Sequence, residues 1–460
     1  MERFDAVIIG AGQAGMPLAH KISSKGHTVA LVEQRVIGGT CINDGCSPTK
    51  TMAFCAKVAH TVSRAGDYGI EVDAFRINQK KIKQRKNHIV HLFRGGAQKG
   101  LDKAENITVI MGKGSIVGQG HVAVQQADGI KRSLSTDAIF INTGSKTKLP
   151  NLRGLDQVPF LTSSTIMDLE ETPKSLLILG GGYIGLEFAQ MFRRFGSEVS
   201  VLDSAERLVS KEDTDVCKEV SAIFKKEGIS TYFNFEAEEV LNEEGQISIK
   251  GRQDGRGVTL KGSHLLVATG RKPNIEGLNA EEAGIVLTDQ GFIEVDEQFR
   301  TSLKNVYAMG DVSGSPPFTH IAYNDANLVF QAVYENRVLS HKNRLVPYCI
   351  FIDPQLARIG LNEQQAKNRG IPYKLGKFWM KHAGRTLEAD EKEGFFKVLV
   401  DPKDGKILGA TILSMDGGEV MAILQMAMIG GVTYEQIKDL PIAHPTLAES
   451  LNNLMKQVQG

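Results

Sequence analysis

Short, uninterrupted apolar runs that end directly in glycine occur twice in this chain. Ala6-Val7-Ile8-Ile9 precedes Gly10-Ala11-Gly12-Gln13-Ala14-Gly15, and Ser175-Leu176-Leu177-Ile178-Leu179 precedes Gly180-Gly181-Gly182-Tyr183-Ile184-Gly185. Such runs predict parallel strands buried on both faces. A helical stretch follows each turn (18–25 and 186–195), then a second strand (28–32 and 198–202) that ends in an acid. Those acids, Glu33 and Asp203, lie equally far past the last glycine of their unit. This is the dinucleotide fingerprint in its full context of strand, glycine turn, helix, strand and acid. Gly10 and Gly180 allow the tight turn, and Gly12 and Gly182 let a pyrophosphate approach the backbone. Gly15 and Gly185 let the helix close on its strand, and the helix N-terminus attracts the phosphates. Two units in tandem predict an α/β chain that binds two nucleotides. Asp203 favours a free ribose 2′-OH and hence NADH. Arg207 and Lys211 keep NADPH open.

The remaining pattern fills in around the repeat. Residues 49–62 read as a helix, and 80–101 as a basic amphipathic helix with Ile82, Ile89, Leu92 and Phe93 at helical spacing. Residues 107–141 read as short strands that end at Asn142-Thr143-Gly144, and 265–269 as a strand that ends at Gly270. Proline-bearing residues 145–173 form a crossover. Asn305-Val306-Tyr307-Ala308-Met309 leads to Gly310-Asp311, an acid suited to a polyol hydroxyl, and a helix over 319–335 follows. From about 345 the texture is antiparallel. Strands are expected at 348–352, 376–380, 395–401 and 407–413, the last two joined by a hairpin at Asp404-Gly405. Helices are expected at 418–429, 433–439 and 445–457, the last with Pro445 at its first position, His444 just before it and Glu449 one turn inside. Met415, Met421, Met426 and Met428 suit core or subunit-interface packing.

Composition narrows the class. A chain of 460 residues needs two to four domains, and a formal charge of +1 argues against nucleic acid as a partner. Five cysteines are too few and odd for a secreted disulfide scaffold. The N-terminus runs straight into a strand, and no apolar run reaches bilayer length, so no membrane partner and a reducing, cytoplasmic location are expected. There, Gly39-Thr40-Cys41-Ile42-Asn43-Asp44-Gly45-Cys46-Ser47-Pro48-Thr49-Lys50 reads as a redox-active cysteine pair. The chain lacks the second Cys/His pair of a metal site. A turn and helix start just past Cys46 would favour its thiolate.

Together these pieces closely resemble the class I pyridine nucleotide-disulfide oxidoreductases, the flavoenzymes that include dihydrolipoamide dehydrogenase, glutathione reductase and mercuric reductase. The resemblance covers essentially the whole chain. It implies an FAD-binding domain of residues 1–150 and 275–340, an NAD(P)H-binding domain of 151–274, and an α+β dimerisation domain of 341–460. FAD would lie on Gly10, Gly12, Gly15, Glu33, Thr40, Gly114, Thr143, Gly144, Asp311 and Thr319, with Lys50 near the flavin and paired with Glu187. NADH, or NADPH, would lie on Gly180, Gly182, Gly185, Asp203 and Gly270. Cys46 would face the flavin and Cys41 would attack substrate, with no metal required. His444 and Glu449 would reach the partner's site in a homodimer with composite active sites. The implied reaction passes electrons from NAD(P)H through FAD and the Cys41–Cys46 disulfide to a small oxidised sulfur substrate. Alternatives are reduction of a metal ion or hypothiocyanite, dihydrolipoamide oxidation, an oxidase or ferredoxin-reductase-like flavoprotein, or a redox sensor.

Three departures from the family bear on substrate. Asp44 stands between the cysteines, where an acid could repel anions unless it points into solvent. The C-terminus lacks the vicinal cysteines of mercuric reductases, and Ala443 precedes His444 where lipoamide dehydrogenases carry a His-x-His pattern. Cys55, Cys217 and Cys349 suit packing.

Overall fold

A computed structural model describes residues 1–459. The first glycine unit lies in a seven-stranded sheet. Ile107–Met111, Val29–Glu33, Glu2–Ile9, Lys131–Ile141 and Val306–Ala308 run parallel, and His121–Gln125 and Lys113–Gly118 extend it antiparallel. Successive side chains of Glu2–Ile9 enter different cores. Ala6 and Ile8 meet Leu18 and Ile22 of the helix Gly15–Ser23, whereas Val7 and Ile9 meet Ile285 and Ile293 on the other face. Burial on both faces leaves no polar position in the run.

The second unit repeats the design as a four-stranded parallel sheet in the order Ser230–Tyr232, Glu198–Leu202, Ser175–Leu179, His264–Val267. A three-stranded antiparallel sheet, residues 235–262, flanks it. The third unit is a five-stranded antiparallel sheet in the order Tyr348–Ile350, Gln355–Gly360, Ile407–Ser414, Phe395–Val400, Lys374–Trp379. Its strand Gln355–Gly360 follows Asp353-Pro354, a pair that reads as a turn, so the sequence pattern misses it.

One apolar core joins the units. Met52 and Ala56 of the helix Cys46–Ser63 pack with Phe188 and Phe192 of Tyr183–Arg194 and with Ile350 and Phe395 of the third sheet. Lys397, fully buried, ties the second unit to the third. Its ammonium lies 2.8 Å from Asp213, 2.9 Å from Asp215 and 2.5 Å from Glu363. Burial opposes its charge, and the three carboxylates outweigh that, holding its pKa above the usual lysine value.

Several helices differ from expectation. The helix expected from 49 begins at Cys46 itself. The basic helix spans Gln79–Asp102 and lies beside Cys46–Ser63, with Lys86 and Val90 inward while Leu92 and Phe93 are exposed. Lys86 turns inward because Asp168 pairs with it at 2.8 Å. The last helix is Ser450–Lys456, which leaves Pro445 outside it and Glu449 at its N-cap position. The Thr446 hydroxyl accepts from the Glu449 N–H and donates to the Ala443 carbonyl, a local turn that competes with the helical ladder. Met421 is buried, whereas Met426 is 71 % exposed, so the methionines split between core and surface. Among the described residues no helix is long and apolar enough to cross a membrane.

Candidate active site

The first glycine turn is built to exclude side chains. A Cβ on Gly10 would lie 2.3 Å from the Asn142 carbonyl oxygen, and one on Gly15 2.0 Å from the Gly10 oxygen. The Ala11 N–H donates to one oxygen of Glu33 and the Arg35 N–H to the other, at 2.9 and 2.8 Å. The cysteine loop docks on this turn. The Gly38 N–H donates to the Ala11 carbonyl, and a Cβ on Gly39 would come within 2.6 Å of the Gly12 Cα.

A cleft of about 690 Å³ runs from Glu33 past Thr40, Gly114, Thr143 and Asp311 to Cys46 and Lys50. It is large enough for an extended ligand. Thr143 Oγ1 is buried there without a hydrogen-bond partner. Ser145 Oγ donates to Asp311, and Arg271 donates to Ser145 at 2.7 and 2.6 Å, which orients that carboxylate in the cleft wall. An orphaned hydroxyl, a fixed acid at one end, a second held in the wall and a side-chain-free turn fit FAD.

At the inner end, Cys46 opens the helix Cys46–Ser63 and Cys41 lies in the short helix Gly39–Asn43. Both thiols are free. Cys46 has its pKa drawn down to about 6, first by the hydrogen bond from Cys41, then by the Thr319 hydroxyl at 3.3 Å and the Lys50 ammonium. Burial and Glu187 oppose this. The same pairing, with burial, pushes the Cys41 thiol far up. One sulfur is therefore a thiolate at neutral pH and the other holds its proton. Lys50, one turn beyond Cys46, pairs with Glu187 at 2.7 and 2.9 Å, and the Phe351 N–H donates to Glu187 at 2.9 Å.

The second unit repeats the first. A Cβ on Gly180 would meet the Ala268 oxygen at 2.4 Å, and one on Gly185 the Gly180 oxygen at 2.0 Å. Asp203 accepts from the Gly181 N–H and from the Ala205 N–H. Arg207 is engaged by Thr214 and Glu206. Tyr183, one residue past Gly182, lines the cleft near Lys50, whereas Gly270 does not line it.

The chain brings Cys41, Cys46, Lys50, Glu187 and Thr319 together but leaves His444 and Glu449 outside the cleft. His444 is 73 % exposed, and its Nδ1 lies 2.9 Å from Glu449. Asp44 does not point into solvent. It pairs with Arg35 at 2.8 Å, so no bare anion stands beside the sulfurs. Sequence reasoning missed Arg35, Arg271, Phe351 and Arg94, which donates to Asn43 in the cysteine loop at 2.8 Å. For Arg271 a signal existed, since it follows Gly270 directly. Phe351 meets Glu187 through its backbone N–H, a contact that leaves none.

The sequence profile described as pyridine nucleotide-disulphide oxidoreductase matches residues 4–326, and that of the family's dimerisation domain matches 346–455. A probable pyridine nucleotide-disulfide oxidoreductase, RclA, of Escherichia coli K12 is 34 % identical over all of both chains. Dihydrolipoyl dehydrogenase of Bacillus subtilis is 32 % identical over 99 % of this chain and 98 % of its own. A structure described as the Cu(II) complex of the HOCl-induced flavoprotein disulfide reductase RclA from Escherichia coli matches all of both chains with a TM-score of 0.91 at 33 % identity. The chain belongs to the pyridine nucleotide-disulphide oxidoreductases, FAD- and NAD(P)H-dependent enzymes.

Proposed function

We propose that this enzyme spends NADH to reduce a small disulfide or related oxidised sulfur species through Cys41 and Cys46. The observation that carries the reading is the polarised thiol pair, one sulfur drawn down to about 6 and the other pushed up, beside the Lys50–Glu187 ion pair. Bound flavin supplies the step that turns a nicotinamide hydride into two electrons for a disulfide. Gly10, Gly12, Gly15, Glu33 and Asp311 hold it, and Gly180, Gly185 and Asp203 hold the nicotinamide nucleotide. Residues 1–150 with 275–340 serve the flavin, 151–274 the nicotinamide, and 341–460 the dimer, in the cytoplasm.

The Cys41 thiol, once deprotonated, attacks one substrate sulfur, forms a mixed disulfide and expels a thiolate that takes a proton. The Cys46 thiolate then attacks Cys41, restores the internal disulfide and releases the second thiol. The net change is disulfide plus NADH plus a proton to two thiols and NAD⁺. Because the Cys41 proton is tightly held, a base is needed. His444 of a second copy, oriented by Glu449, is that base, which makes the enzyme a homodimer with composite sites. The exposed Ile423, Met426 and Ile429 of the helix Gly417–Gly430 give that dimer an apolar face.

The test is NADH-driven turnover of small disulfides, hypothiocyanite, lipoamide and metal ions, repeated in Cys41→Ser and His444→Ala. Sulfur substrates should be reduced and both variants inactive, whereas mixed dimers of the two should regain activity. Mixed dimers that form and stay inactive defeat the composite site. A second reading, Cu(II) reduction, is favoured by the likeness to the copper-complexed reductase. It wins if Cu(II) turns over, no sulfur species does and His444→Ala is active.

A further inference from the structure

The ion pair beside Cys46 is held from the third unit. Glu187, Gln190 and Arg194 line one face of the helix Tyr183–Arg194, at spacings that bring side chains of successive turns together. Each grips the same short segment, residues 351–353. Glu187 accepts the Phe351 N–H at 2.9 Å. Gln190 accepts the Asp353 N–H and donates to the Asp353 carbonyl, both at 2.7 Å. Arg194 donates to the Asp353 carboxylate at 2.7 Å. On the facing helix Cys46–Ser63, Lys57 approaches Asp353 at 3.6 Å, two turns beyond Lys50. The Lys50 ammonium rests on the Phe351 ring, 4.8 Å from its centre. The segment is therefore a wedge between two helices, with the Lys50–Glu187 pair at its tip.

We propose that Gln190 and the wedge Phe351–Asp353 are positioning residues for Lys50, so that each subunit's interface domain completes its own redox site as well as forming the dimer. Glu187 is buried, and a buried carboxylate deprived of a donor acts on its neighbours with a stronger charge. Lys50, deprived of the ring face, is freer to swing into water. Both changes disfavour a thiolate at Cys46, which Lys50 supports and Glu187 opposes. Cys41, Thr319 and Tyr183 also face that sulfur.

The inference rests on Cys46 and Lys50 sharing a site, not on the identity of the substrate. It is tested in the Cys41→Ser holoenzyme, where the long-wavelength absorbance of a thiolate against flavin reports Cys46 ionisation as pH is varied. Gln190→Leu should move the midpoint upward by roughly half to one pH unit, a shift of the size a displaced neighbouring charge gives. Phe351→Leu keeps the backbone N–H and removes only the ring, so a smaller upward shift is expected even if Gln190→Leu fails to fold. In a Lys50→Met background the Phe351→Leu shift should vanish and the Gln190→Leu shift should shrink to what Glu187 alone gives. A Gln190→Leu protein with lowered Tm but an unmoved midpoint shows a merely structural clamp and overturns the proposal, as does an equal shift without Lys50. If no long-wavelength band forms, the fault lies with the flavin-facing role of Cys46, and alkylation of the reduced protein against pH reads the same midpoint.

Discussion

The two glycine turns are near copies. Gly10 and Gly180 each face a carbonyl oxygen a little over 2 Å from a would-be Cβ, and Gly15 and Gly185 each sit on the oxygen of their first glycine. Glu33 and Asp203 both accept the N–H of the residue between the first two glycines. They part at the middle glycine. A Cβ on Gly12 would meet Asn142 and Gly39, whereas one on Gly182 would meet nothing within 4 Å. Glu33 is buried and Asp203 only half-buried. The first turn is closed over by the cysteine loop, and the second stays open. One architecture thus provides a closed turn and an open one, and the difference lies in what packs on it.

The sharpest way to break this comparison is Gly10→Ala against Gly180→Ala. Each puts a methyl into a backbone carbonyl, an overpacking that costs about 1–3 kcal/mol, roughly ten- to hundredfold in affinity. Gly10→Ala should purify depleted in flavin by absorbance. Gly180→Ala should keep its flavin and raise the KM for NADH. Equal flavin loss in both would mean the two units are not separate sites. Next in size, NADH should exceed NADPH in kcat/KM by roughly tenfold to a hundredfold, because Asp203 would face the 2′-phosphate as a like charge. Asp203→Asn should narrow that ratio with flavin content unchanged, and comparable kcat/KM in the unaltered enzyme would overturn the assignment.

The smallest effect sharpens the closed site. Cys46 has a pKa drawn down to about 6 from the ordinary thiol value of 9. Its thiolate is present above pH 6 and is lost as pH falls through that value, so the long-wavelength absorbance of the reduced enzyme should fade there. Fading near pH 9 instead would show that the Cys41 and Thr319 hydrogen bonds do not act on it. Cys46→Ser should remove the band altogether.

The nucleotide units were legible because their apolar runs, glycines and acids are local and their spacing carries the geometry. The cysteine loop was legible for the same reason. Asp44 was misjudged because its partner, Arg35, sits across the loop and nothing local announces the pairing. The last helix was misplaced because Pro445 suits a helix start, while the turn held by Thr446 wins. The wedge at Phe351–Asp353 escaped because its partners lie far away in the sequence and part of its grip runs through backbone groups that any residue carries.

Lys397 has a consequence for how the molecule comes apart. Its ammonium is wholly removed from water and holds acids from two different units. Separating those units would leave Asp213 and Asp215 without this ammonium and Lys397 with Glu363 alone, a cost that falls on both fragments at once. With the apolar core that runs from Met52 to Phe395 across the same boundary, the second unit has no easy way to melt alone. Heat or denaturant should therefore take these units down in a single cooperative step, and a protease should find no half-opened form to cut.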